Sequence, residues 1–126
     1  MVVDWREEDD AIIGYCENIL ETGQLSAELE DADNQQGFSI TIHYGEKSLL
    51  IPYQGGGADR DTTLRALNEI LQPEYEIRFC KASDGSDTLE FIPLPKKLWH
   101  QLDMKYAGKM DTLFARFEHD SVFFGS

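Results

Sequence analysis

The feature that most constrains this chain is a change of apolar period between Asp59 and Pro93. Leu64, Leu67 and Leu71 recur at i, i+3 and i+7, with Ala66 and Ile70 widening the stripe, which predicts a helix buried along one side. Asp59-Arg60-Asp61-Thr62-Thr63 supplies acids and hydroxyls to accept from the free N–H groups of its first turn, and Pro73 ends it. The period then drops to two. Tyr75, Ile77 and Phe79 alternate with Glu74, Glu76 and Arg78, Ser83 to Asp87 has turn chemistry, and Leu89 to Ile92 returns as a second strand. A helix feeding a hairpin predicts an α+β fold in which helices cover an antiparallel sheet.

The segments on either side extend the pattern. Asp4 to Thr22 places Ile12, Tyr15, Cys16, Ile19 and Leu20 at helical spacing, with Gly23 to end the helix. Glu7, Glu8, Asp9 and Asp10 fall in its early turns, where the helix dipole favours acids. Strands are expected at 24–31, 37–44 and 47–53, from the alternation of Leu25, Ala27 and Leu29, of Phe38, Ile40, Ile42 and Tyr44, and of Leu49, Ile51 and Tyr53. Gly45-Glu46 suits a two-residue turn with glycine first, and Pro52 marks a sheet edge or a bulge. Pro95 opens a third helix bearing Leu98, Trp99, Leu102 and Tyr106, and Gly108 closes it. Met110, Leu113, Phe114 and Phe117 fit a short fourth helix, although Leu113, Ala115 and Phe117 also alternate. Val122-Phe123-Phe124 is an apolar tail suited to docking on the body. The expected order is α-β-β-β-α-β-β-α-α: one domain over 1–126, about five strands in one antiparallel sheet, helices on one side.

Charge separates the function classes. The 126 residues carry 24 Asp and Glu against 11 Lys and Arg, for a net charge of −13. Residues 1–44 hold eleven acids and one base, Arg6, a net of −10, and residues 45–126 a net of −3. Such a potential repels phosphate backbones and anionic lipid, so neither nucleic acid nor membrane is an expected partner. No apolar run approaches the roughly 20 residues that span a bilayer, and the start lacks the features of a signal peptide, so a cytoplasmic protein is expected. The acidity serves either solvation alone or a basic partner. Cys16 and Cys80 lie in apolar patterns and are expected as free thiols, with a disulfide between them as the alternative.

No motif for catalysis stands out. Gly55-Gly56-Gly57 precedes a helix, but no Gly-Lys-Ser/Thr follows, and Asp59 and Asp61 would repel a phosphate there. His43, His100 and His119 are scattered without ligand spacing. Asp84, Ser86 and Asp87 lack the span and distal Glu of a calcium loop. Glu28 and Glu30 point the same way from one strand, about 7 Å apart at ~3.3 Å per residue, with no sign of a cleft around them. Trp5 is expected to pack at the helix start, with an exposed anchor as the alternative, and Trp99 to pack in its helix stripe. The expectation is no catalytic residue, no cofactor and no metal.

The run from Glu74 to Arg78, the run Ser83-Asp84-Gly85-Ser86-Asp87-Thr88-Leu89-Glu90-Phe91-Ile92-Pro93-Leu94-Pro95, and Trp99 and Leu102 after it resemble a pattern in small bacterial immunity proteins. These are the antitoxins of contact-dependent inhibition and other polymorphic toxin systems. The resemblance spans roughly residues 60 to 117. It implies a protein that binds and neutralises the C-terminal domain of one cognate toxin, many such toxins being nucleases with basic active sites. Charge complementarity nominates Glu28, Glu30, Asp31 and Asp33 as contacts, with Asp59 and Asp61 as further contributors. Two other classes remain open: a small enzyme or ligand-binding domain with a pocket between sheet and helices, and an adaptor or secretion chaperone that dimerises through an apolar patch.

Overall fold

The computed structural model describes residues 1–4, 8–31, 38–53, 59–85, 88–118, 121 and 123. The element order is β1 (Val2–Asp4), α1 (Asp9–Leu20), β2 (Leu25–Asp31), β3 (Phe38–Tyr44), β4 (Lys47–Leu50), α2 (Arg60–Leu71), β5 (Tyr75–Cys80), β6 (Thr88–Pro95), α3 (Lys96–Lys105), α4 (Lys109–Leu113) and β7 (Phe114–Arg116), with a 3-10 turn at Lys81–Ser83. The fold is α+β, as expected, but the strands form two antiparallel sheets rather than one. Their orders are β1-β6-β5-β7 and β2-β3-β4.

The division follows from α2. Leu64, Ala66, Leu67, Ile70 and Leu71 are buried, and so are Asp61, Thr62 and Thr63, so little of this helix meets solvent. A helix covered on most sides needs partners on more than one. α2 touches β3 and β4 of the small sheet and β5 of the large one, while α1 touches β2, β6 and α2. One apolar core runs through both sheets, from Leu25, Ile40, Ile42 and Ile51 past Ile12, Ile13 and Cys16 to Ile77, Phe79, Leu89 and Phe91. Burial pushes the Cys16 thiol up to about 12, and Cys16 and Cys80 are both free.

The helices are also not on one side. Ile77 and Phe79 of β5 face this core. Arg78, between them, faces the other way, and its guanidinium lies 4.4 Å from the centre of the Trp99 ring of α3. The Trp99 indole N–H donates to the Glu76 carbonyl at 2.7 Å, and its ring meets Phe114 edge-on at 5.3 Å. The large sheet is therefore covered on both faces.

Local chemistry explains the boundaries. The Asp59 side chain accepts from the Thr62 backbone N–H at 3.1 Å, capping α2 as expected. Gly45 has φ 60° in the two-residue turn joining β3 to β4. α1 begins at Asp9 rather than Asp4, because Val2–Asp4 pair with Thr88–Glu90 as a strand. Its left-handed cap is Glu21 (φ 51°), not Gly23; the Glu21 N–H reaches the Glu17 carbonyl, and the Glu17 carboxylate takes the Gly23 and Leu25 N–H groups. The segment after Gly108 divides: α4 ends at Leu113, and Phe114–Arg116 pair with Arg78–Cys80. Phe123 of the tail docks on Phe79, Phe91 and Phe117 with ring centres 4.9–5.3 Å apart; Val122 and Phe124 lie outside the described residues.

β6 carries two prolines and still pairs along its length with β5, from Phe79↔Phe91 to Tyr75↔Pro95. The reason is parity. The Phe91 N–H points toward β1, donating to the Met1 carbonyl at 2.8 Å. Alternation places positions 93 and 95 toward that same edge, where β1 extends no further. Proline costs the β5 ladder nothing there. On β5 the matching orphan is the Ile77 N–H, which donates to the Asn68 side chain at 2.8 Å.

Candidate functional site

β2 is an edge strand, hydrogen-bonded to β3 alone in its sheet. Leu25 and Ala27 turn toward the helices, and Ser26, Glu28 and Glu30 turn away. From Glu28 onward all four residues are exposed, Leu29 included at 55%. The end of the strand therefore runs past the apolar layer that buries its beginning. Glu28, Glu30 and Asp31 stand together on this projecting end, and Asp33 lies outside the described residues.

The neighbouring strands complete the face. Glu28 lies opposite Thr41 and Glu30 opposite Ser39, and Leu50 of β4 lies opposite Thr41. His43 bridges the strands, with Nε2 2.9 Å from the Glu28 carboxylate and Nδ1 2.8 Å from the Ser48 hydroxyl. Among the described residues no lysine or arginine forms an ion pair with Glu28, Glu30 or Asp31. The result is an outer face carrying Glu28 and Glu30 with exposed Leu50, and a reverse face on which the strand end leaves Leu29 and Asp31 exposed. Periodicity assigns Leu29 to the buried row, because alternation says which way a side chain points and not how far the covering layer reaches.

Asp59 and Asp61 belong to a different environment. Asp59 is held by the Thr62 N–H and hydroxyl, and Asp61, 8% exposed, accepts from the Phe123 N–H at 2.7 Å. Both serve the start of α2, away from the β2 row.

That helix start also holds a buried carboxylate that charge counting passes over. Asp9, at the first turn of α1, accepts from the Asp59 N–H at 3.3 Å and from the Thr63 hydroxyl at 3.1 Å. The Tyr53 hydroxyl bonds to the same Thr63 oxygen. Burial raises the Asp9 pKa, against the lowering effect of these donors. Two of the donors that would hold a phosphate at the α2 terminus, the Asp59 and Thr62 N–H groups, are thus taken by the chain's own carboxylates. Gly55, Gly56 and Gly57 lie outside the described residues.

A third polar group sits under α3. The Arg78 guanidinium, on a residue 3% exposed, donates to both Asp103 oxygens at 2.7 Å and through Nε to Glu76 at 2.7 Å, and Arg116 adds a 2.9 Å bond to Asp103. Arg78 and Arg116 hold the Asp103 carboxyl below its ordinary value. Every strong donor and acceptor here has a partner, which suits a clamp between sheet and helix.

Among the described residues no group of three or more His, Cys, Asp or Glu side chains is placed to hold a metal ion, and no helix is long and apolar enough to cross a membrane. Comparison of the chain with family models, with curated proteins and with solved structures finds no match.

Proposed function

We propose that this chain is an immunity protein that neutralises a basic toxin domain by docking the exposed face of the β2-β3-β4 sheet on it. The observation that carries the reading is the projecting end of β2: Glu28 and Glu30 meet solvent on the outer face near exposed Leu50, Leu29 and Asp31 are exposed on the reverse, and among the described residues no lysine or arginine pairs with these acids. Acids steer the encounter with a positive surface, and a desolvated leucine holds the complex once formed. The net charge of −13 extends the attraction beyond the contact. The carboxylates already engaged inside the fold, Asp9, Asp59, Asp61 and Asp103, are not part of the contact surface.

The test is association with the C-terminal domain of the toxin encoded next to this chain. Association should slow by about tenfold between low salt and ~0.5 M salt as the Debye length contracts. The double variant Glu28→Lys, Glu30→Lys should slow association about tenfold at low salt and keep the unfolding midpoint. Leu50→Ala, on the same face as Glu28 and Glu30, should leave association unchanged and speed dissociation by about tenfold. A toxin domain that binds all three proteins with equal rates removes this face from the contact.

A further inference from the structure

The outer side of the large sheet holds a groove of about 430 Å³ between α3, α4 and β6. Ile92 and Leu94 of β6 form its floor, Trp99, Leu102 and Tyr106 one wall, and Met110, Leu113 and Phe114 the other. Its apolar residues are not all sequestered: Tyr106 and Leu113 are each 43% exposed, and Leu98, a turn before Leu102, is 39% exposed. A stretch of apolar surface left open along two helices marks an interaction site more often than it fills space.

Its charge says what covers it. Of the five Lys and Arg in residues 96–116, Lys105 and Lys109 lie at this groove, while Lys96, Lys97 and Arg116 line a separate hollow with Arg78 and Asp103. There Asp103 is held by Arg78 and Arg116. Lys109 lines the groove, and the Lys105 ammonium lies 5.4 Å from the centre of the Tyr106 ring. The groove lining includes no carboxylate. An apolar trough with a cationic rim is complementary to an amphipathic segment whose apolar stripe is flanked by acids. Its open walls suit a helix laid along it better than a small molecule, which would need most of its surface enclosed.

We propose that this groove is a second docking site, taking an acid-flanked amphipathic helix of a protein partner. It is separate from the β2 face and opposite to it in charge.

The test uses two fluorescein-labelled helical peptides of about 14 residues, with the same leucines at i, i+3, i+4 and i+7 and with flanks of either glutamate or lysine. Anisotropy should show the glutamate peptide bound about tenfold more tightly at low salt, through its ion pairs with Lys105 and Lys109. The double variant Lys105→Glu, Lys109→Glu should reverse the order of the two peptides. Leu113→Glu, an exposed position, should abolish binding of both while the unfolding midpoint holds. Glu28→Lys with Glu30→Lys should leave binding at the groove intact, which separates this result from any failure at the β2 face. The proposal is overturned by equal affinity for the two peptides, by binding that survives Leu113→Glu, or by self-association of the free protein that Leu113→Glu disrupts, which would assign the groove to a second copy of the chain. Displacement of neither peptide by millimolar decanoate is expected; decanoate bound in preference to the glutamate peptide would make this an amphiphile pocket and overturn it as well.

Discussion

The two sheets carry the same alternation of apolar and polar residues and put their polar residues to opposite uses. On β5 the outward row is Glu76 and Arg78, and α3 lies over it; on β2 and β3 the outward row is Glu28, Glu30, Thr41 and His43, and among the described residues no helix lies over it. Burial turns the first row into a fixed network, with Arg78 stacked on Trp99 and forked onto Asp103. Solvent leaves the second row as charge available to a partner. A polar residue on a strand is therefore structural or free according to the layer beyond it, and the difference should be measurable.

The largest effect is expected at Arg78. Arg78→Ala strands the Asp103 and Glu76 carboxylates against a half-uncovered Trp99, and should lower the stability by about 3 kcal/mol in urea unfolding. A loss under ~1 kcal/mol would mean that solvent reaches this layer as freely as it reaches the β2 face.

Next is the pH dependence at Asp103. Its folded pKa lies below the ordinary 3.8, so its contribution is present above that value and fades as pH falls through the lower folded one. Asp103→Asn should accordingly be less stable than the parent by about 1–2 kcal/mol at pH 7. The gap should narrow as the pH drops below 3.8. A gap independent of pH would assign the loss to packing instead of charge. Asp9 should behave in the opposite sense. Its pKa is raised by burial, so its contribution is greatest below 3.8 and declines as pH rises through the folded value. Asp9→Asn should therefore compare best with the parent at neutral pH.

The smallest effect belongs to the bare face. His43→Ala removes the bridge between Glu28 and Ser48, yet both ends stay hydrated, and the change should be within about 0.5 kcal/mol. A loss as large as that at Arg78 would show this face to be built for stability and would weaken its reading as a docking surface.

These contrasts mark what was legible in advance. The helix over Asp59 to Leu71, the meander and the Tyr75–Cys80 hairpin all follow from period and turn chemistry. What escaped was non-local. Val2–Asp4 are a strand only because Thr88–Glu90 lie beside them, and three residues are too few to show a period. Whether two sheets or one form depends on what α2 touches. At the site, Glu28 and Glu30 were readable as outward acids, whereas the exposure of Leu29 and Asp31 on the other side came from where the helix layer ends. Asp61 looked like surface charge until Phe123, 62 residues further on, came to rest against it.

Pro93 and Pro95 also restrict what β6 can pair with. An unfinished rim normally recruits: any extended chain drifting by can zip onto it, and a second molecule can do the same to the next. Here β6 beyond Met1 has carbonyls but no hydrogens to lend at those two positions; Pro93 is itself buried, and at exposed Pro95 an arriving strand finds its donor missing. This stretch of the large sheet's edge therefore offers few donors to a second strand.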